Sequence, residues 1–218
     1  MTPKLGVYVH WPYCARICPY CDFNVYKNRE IDTARWVAAL TRDLGYWAER
    51  TPPRKLTSLY FGGGTPSLAP LAVLEGVIDA CASLWGFEDN AEITIEANPT
   101  DAEQSLFRAF AAAGVNRLSL GVQSFNDAAL KFLGRDHDGA AARRAVETAL
   151  SVFDRATFDL IYALPGETAK GWRAQLREAL TLGAAHLSLY QLTIEQGTAF
   201  EKAVARGLWT PPDEDVGA

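Results

Sequence analysis

Two hydrophobic periods take turns along the chain. Runs in which every second residue is apolar mark strands, and longer runs with apolar residues every three or four positions mark amphipathic helices. Read this way, the sequence predicts six strands, over residues 6–11, 58–62, 92–97, 117–123, 157–164 and 186–192. Between them it predicts helices near residues 33–49, 71–85, 101–113, 140–153 and 169–182. The third helix carries the clearest stop and start signals: Thr100 followed by Glu103 reads as a capping box, and Gly114 stands where a C-terminal glycine belongs. Strand and helix in strict alternation are the pattern of parallel βαβ units, an α/β class.

A closed eight-unit barrel takes about 250 residues. Six units in 218 residues therefore predict an incomplete, TIM-like (β/α)6 barrel with one side open. The strands also have a consistent polar face. Glu92, Thr94 and Glu96 lie opposite Ile93, Ile95 and Ala97; Arg117, Ser119, Gly121 and Gln123 lie opposite Leu118, Leu120 and Val122. His186, Ser188 and Tyr190 repeat the pattern, as do Tyr8 and His10. The apolar faces must meet the helices, so the polar faces line the lumen. Closed barrels fill that space with branched apolar side chains, because unpaired buried polar groups are costly. A polar lumen predicts water or a polar ligand inside.

Composition narrows the function classes. The chain is 49% hydrophobic and 22% charged, enough for one globular core, and its formal charge of −5 supplies no basic field for nucleic acid or an anionic membrane. The first five residues carry one lysine and no apolar core of a secretory signal, and the apolar stretch from Leu106 to Val115 is interrupted by Arg108 and too short to span a bilayer. A cytoplasmic location is the default expectation.

Three of the four cysteines, Cys14, Cys18 and Cys21, crowd into one loop directly after the first strand, at the barrel end where such folds carry their chemistry. Iron–sulfur clusters take thiolate ligands, normally four, so three leave one iron without a protein ligand. A structural zinc site would want a fourth Cys or His, and His10 keeps a Cys₃His site open as the alternative. Cys81 falls in a helical pattern with Val77, Ile78 and Leu84 and reads as a small core residue.

The spacing C-x3-C-x2-C after a strand resembles the signature of the radical S-adenosylmethionine (SAM) superfamily. That resemblance implies a [4Fe–4S] cluster whose open iron chelates the amino and carboxylate groups of SAM, and whose electron releases a 5′-deoxyadenosyl radical. Other motifs fit the same family. Gly62-Gly63-Gly64-Thr65-Pro66 resembles the turn whose backbone approaches the cofactor's amino group, with Gly63, Gly64 and Thr65 as its contacts. Glycine suits close backbone approach. By resemblance Glu96, in Ile95-Glu96-Ala97-Asn98-Pro99, points to the ribose, as do Gln123 and Asp159. Arg135, in Leu133-Gly134-Arg135-Asp136-His137, matches the arginine that pairs with the carboxylate, Ile161 an adenine contact, and Tyr8 and His10 residues flanking the cluster and cofactor.

Within the superfamily the chain is most similar to the oxygen-independent coproporphyrinogen III oxidase (HemN)-like group, from Gly6 to Asp215. Segments such as Tyr190-Gln191-Leu192-Thr193-Ile194-Glu195 and Pro212-Asp213-Glu214-Asp215 look like that group too. True oxidases show a fourth cysteine two residues after the third; Phe23 stands there instead, which resembles the heme-chaperone (HemW) branch. The resemblance then implies a protein that binds heme and transfers it to an acceptor protein, with SAM and the cluster retained and electrons supplied by a flavoprotein or ferredoxin. The alternative is radical oxidative decarboxylation of porphyrinogen propionates to vinyl groups. A third reading is a zinc-binding barrel without radical chemistry. Residues 1–209 are expected to form the barrel and residues 210–218 the start of a linker toward a C-terminal domain that the sequence lacks. The heme-binding His-Asn motif of the chaperone branch would lie in that domain, so no heme ligand is assigned among His10, His137 and His186.

Overall fold

The computed structural model describes residues 3–27 and 30–212. The chain runs β1 (Leu5–Trp11), β2 (Tyr13–Cys14), β3 (Tyr26–Lys27), α1 (Thr33–Ala48), β4 (Leu56–Gly63), α2 (Leu71–Leu84), β5 (Phe87–Ala97) and α3 (Gln104–Ala112). It continues through β6 (Arg117–Gln123), α4 (Asp127–Phe132), α5 (Gly139–Leu150), β7 (Ala156–Tyr162), α6 (Ala169–Thr181), β8 (His186–Gln191) and α7 (Ala199–Ala205). Six strands form one parallel sheet in the order β1-β4-β5-β6-β7-β8. Among the described residues β8 pairs only with β7 and β1 only with β4, so the expected open barrel is what forms.

The apolar faces do what their period requires. Leu59 and Phe61 of β4, Ile93 and Ile95 of β5, Leu118 and Leu120 of β6, and Phe158 and Leu160 of β7 share one buried core with Val73, Leu74, Val77, Phe107, Phe110 and Val146 from the helices. Cys81 belongs to this core, and burial pushes its thiol up to about 12, which keeps it a protonated, inert side chain. Side chains of the polar faces pair with one another between neighbouring strands. Arg117 donates to Glu92 at 2.8 Å, Thr94 leans on the same carboxylate, and Thr157 and His186 meet at 2.8 Å.

Helix starts are set by short polar side chains. Asp32, Asn126, Asp138, Thr168 and Thr198 each accept a backbone N–H from the first turn of α1, α4, α5, α6 and α7. The capping box expected at Thr100 does not form. Residues Pro99–Asp101 make a 3-10 turn, α3 begins only at Gln104, and its cap Glu103 makes no side-chain bond. The Asp101 carboxylate instead accepts from Ser67 Oγ at 2.9 Å, tying this turn to the loop after β4. The C-terminal signal does hold: Gly114 has φ +107, its N–H donates to Ala111 and that of Val115 to Phe110, the two bonds of a Schellman motif. Helices α4 and α7 and the two-residue strands β2 and β3 were not predicted. Asp213, Glu214 and Asp215 of the Pro212–Asp215 segment, with most of the expected linker, lie outside the described residues.

Candidate functional site

The C-terminal ends of the sheet strands surround one cavity of about 450 Å³. Cys14, Cys18 and Cys21 border it, as do Gly63, Gly64, Thr65, Glu96, Gln123, Arg135, Asp159 and Ile161. Every candidate site residue but Tyr8 and His10 is therefore brought to one place. Tyr8 lies outside the lining: on edge strand β1 it is 57% exposed, stacked on Tyr60, with its hydroxyl 3.3 Å from His10 Nδ1.

The loop after β1 owes its path to the glycine turn after β4. Gly64 N–H donates to Trp11 O and Thr65 N–H to Tyr13 O, so the turn holds the backbone that leads into Cys14. Gly63 has φ +108, and a Cβ there would stand 2.5 Å from His10 Nδ1; at Gly64 a Cβ would stand 2.7 Å from Tyr13 O. Glycine is needed at both positions for close approach, first of all by the protein's own ring and backbone. His10 Nε2 lies 3.0 Å from the Asn24 carbonyl. A carbonyl only accepts, so the His10 proton sits on Nε2 and Nδ1 is left to accept from Tyr8. This contact closes the far end of the cysteine loop.

Glu96 and Arg135 organise the cavity walls. Glu96 accepts from the Tyr60 hydroxyl at 2.8 Å and from Gly63 N–H at 3.1 Å, and burial raises its pKa against the pull of those two donors. Arg135 donates through Nη1 to Cys18 Sγ at 3.2 Å and through Nη2 to Asn98 Oδ1 and to Gly121 O at 3.0 Å. Asn98 in turn donates to Thr65 Oγ1. Burial pushes the Cys14 thiol up, with the Thr65 hydroxyl opposing, and burial likewise pushes up Cys21. Burial also carries Asp159 up to about 7, against a hydrogen bond from Ser188 and with Glu96 adding to the rise.

Gln123, the last residue of β6, and Ala163, just past β7, both hold positive φ (67° and 60°) without being glycine. Such strain persists only where neighbours enforce it. At Gln123 the neighbour is Gln175 of α6, whose Oε1 accepts from Ser124 Oγ and from Phe125 N–H at 2.9 Å. Tyr60 and Gln175 were missed in the sequence. For Tyr60 a signal existed, since period-two alternation puts it on the lumen face of β4 with Gly62. For Gln175 none did.

Several observations test whether these residues fit a cluster with SAM. All four cysteines are free. Among the described residues no three His, Cys, Asp or Glu side chains come close enough to share one metal ion. A tetrahedral zinc would demand such convergence at about 2.3 Å per thiolate, whereas a cluster seats each thiolate on its own iron. Arg135 Nε and Asp159 Oδ1 are buried without a partner, both on residues that line the cavity. Unpaired buried polar atoms cost about 1–3 kcal/mol each. A polar ligand in the cavity would supply what they lack, so the donor set fits the group.

Comparison with known proteins agrees with this geometry. The radical SAM superfamily profile matches residues 8–178. The mouse protein "Radical S-adenosyl methionine domain-containing protein 1, mitochondrial" is 40% identical over 218 residues, all of this chain and 49% of its own length. The Escherichia coli protein "Heme chaperone HemW" is 39% identical over 200 residues, 91% of this chain and 53% of its own. Among solved structures, coproporphyrinogen III oxidase (HemN) from Escherichia coli, a radical SAM enzyme, superposes with a TM-score of 0.77 at 25% identity, over 93% of this chain and 52% of that one. The chain spans about half the length of the curated relatives it matches.

Proposed function

This chain belongs to the radical SAM superfamily, and from that premise we propose that it is the barrel of a heme chaperone: a protein that holds a [4Fe–4S] cluster on Cys14, Cys18 and Cys21, binds SAM beside it, and takes part in passing heme to an acceptor protein. The observation that carries the cofactor reading is the convergence of three free thiols, the Gly63–Thr65 turn, Glu96, Gln123, Arg135 and Asp159 on one cavity. The chaperone reading is supported by bacterial relatives of that name near 40% identity and by Phe23 at the position of a fourth cysteine.

When bound, the cluster would supply an open iron for the methionine end of SAM and one electron. The chain's own residues do the rest. Arg135, already fixed by Asn98 and Gly121, presents a guanidinium to the carboxylate while its other arm steadies the Cys18 sulfur. Gly63 and Gly64 leave backbone exposed to the amino group, and the Glu96 carboxylate pins that turn. Glu96, Gln123 and Asp159 offer polar atoms to the ribose, and Ile161 an apolar surface to the adenine.

Each histidine already has a partner: His10 at Asn24 O, His137 at Val122 O and His186 at Thr157. None is assigned as a heme ligand. Free thiols suit a reducing compartment, and among the described residues no helix is long and apolar enough to cross a membrane. The cytoplasm is the compartment proposed, with an acceptor protein and a flavoprotein or ferredoxin as partners there.

The test is anaerobic reconstitution with iron and sulfide, reduction, and EPR with and without SAM, comparing the wild type with Cys18→Ala. A signal that shifts with SAM and disappears in the variant supports the cofactor site. Hemin binding and its transfer to an apo-hemoprotein then support the chaperone reading. Conversion of coproporphyrinogen III to protoporphyrinogen IX by the reduced protein would replace it with the oxidase reading, to which the HemN likeness points.

A further inference from the structure

The cysteine loop has a second side. Outside it a groove of about 630 Å³ opens toward solvent, and Cys18 and Cys21 border this groove as well as the inner cavity. At these two residues the wall between cofactor site and surface is a single stretch of chain. The groove's floor is apolar and tightly joined: Phe132, Phe200 and Trp209 lie with ring centroids 4.8 to 5.0 Å apart. Phe200 N–H donates to Pro19 O, fastening α7 to the cysteine loop at 2.9 Å.

Its charge is opposite to that of the molecule. Arg16 and Lys131, both exposed, border the groove, and among the described residues no Asp or Glu does, on a chain of net charge −5. Ile17, 42% exposed, also borders the groove and follows Arg16 and precedes Cys18 in the chain. An apolar floor with a cationic rim, over a loop whose residues also line the redox site, suits a protein partner with an acidic contact face. Electron transfer slows steeply with distance, so a carrier must dock where the wall is thin.

We propose that this groove is the docking site of a small acidic one-electron carrier protein that reduces the cluster. The proposal rests on the reading that Cys14, Cys18 and Cys21 hold that cluster. In the step the carrier is oxidised by one electron and the cluster reduced by one; no bond forms or breaks and no proton is required. Lys131 and Arg16 act by steering the encounter.

The experiment measures reduction of the reconstituted 218-residue protein by stopped flow, with reduced plant-type ferredoxin and separately with dithionite. It compares wild type, Lys131→Glu, and Lys170→Glu, an exposed lysine on α6 that does not border the groove. The expected result is a fall of about tenfold in the ferredoxin rate for Lys131→Glu at low salt, a gap that narrows at about 0.5 M salt. The dithionite rate and the SAM-dependent EPR signal stay as in wild type, and Lys170→Glu behaves as wild type throughout. Equal ferredoxin rates for Lys131→Glu and wild type, or equal losses in both lysine variants, overturn the docking site while leaving the cluster reading intact. A wild type that takes up no cluster overturns the cluster reading and the proposal with it.

Discussion

Arg135 donates a hydrogen bond to the sulfur of Cys18 across 3.2 Å, joining residues 117 positions apart. The guanidinium is held from the other side by Asn98 and the Gly121 carbonyl, so one side chain ties the cysteine loop to the ends of β5 and β6. Its planar fork cannot be copied by an ammonium group. Arg135→Lys should keep the positive charge and lose at least one of these bonds, each worth about 1.5–3 kcal/mol when the donor is charged. The expected outcome is SAM binding weakened about tenfold or more, with iron content near that of wild type. Isothermal titration of the reconstituted protein with SAM reads the affinity, and iron analysis reads the loading. An unchanged affinity would remove Arg135 from the carboxylate site.

Asp159 gives the fold a pH dependence of definite sign. Burial lifts its pKa from 3.8 to about 7, so between those values the folded chain binds a proton that the unfolded chain has released. Stability therefore falls as pH rises through that window, and the loss is complete above pH 7. Between pH 5.5 and 7.5 the change is about 2 kcal/mol, because the slope of 1.36 kcal/mol per pH unit flattens as the folded carboxyl ionises near 7. Asp159→Asn removes the titrating group. Urea unfolding of the apoprotein at pH 5.5 and 7.5 should show a smaller drop for the variant than for wild type, although burial raises Glu96 in the same direction in both.

Two glycines separate backbone strain from steric exclusion. Gly63 (φ +108) and Gly166 (φ +76) both lie in the left-handed half of conformational space, yet a Cβ at Gly166 meets nothing within 4 Å while one at Gly63 meets the His10 ring at 2.5 Å. Gly166→Ala should cost about 1–2 kcal/mol from strain alone. Gly63→Ala adds the displacement of His10, and with it the Asn24 contact that closes the cysteine loop. Thermal unfolding should show a clearly larger fall in Tm for Gly63→Ala, accompanied by poor cluster loading that Gly166→Ala does not share.

What the sequence made legible follows from the range of each signal. The six sheet strands were readable because a half-buried strand writes its two faces into adjacent residues, as in Glu92 to Ala97. The same alternation placed Tyr8 on the lumen side, but an edge strand has no second neighbour to cover it, and it ends largely exposed. Capping motifs were read at the wrong place. Thr100 and Glu103 have the spacing, but Pro99 turns the chain into a 3-10 helix there and Ser67 engages Asp101. Thr198 and Glu201 have the same spacing and cap α7: Thr198 Oγ1 accepts from Glu201 N–H, and Glu201 Oε2 accepts from Gly197 N–H at 2.7 Å. Strands β2 and β3, two residues each and paired across an eleven-residue gap, leave no periodicity to read.

Gln175 was illegible for a further reason, since its role depends on a contact 50 residues away. Its Oε1 is the acceptor for both the Ser124 hydroxyl and Phe125 N–H, on residues 1% and 5% exposed, immediately after the strained Gln123. Gln175→Leu fills the same space and removes the acceptor, leaving two buried donors unpaired at about 1–3 kcal/mol each. Gln175→Glu puts a carboxylate oxygen, also an acceptor, at the same reach. Chemical unfolding should therefore show Gln175→Leu destabilised by about 2 kcal/mol or more and Gln175→Glu close to wild type. If the turn after β6 sets the Gln123 side chain against the cavity, SAM affinity falls in Gln175→Leu and recovers in Gln175→Glu. A stability loss with unchanged SAM affinity would make Gln175 a purely structural clamp and show that Gln123 keeps its conformation without it.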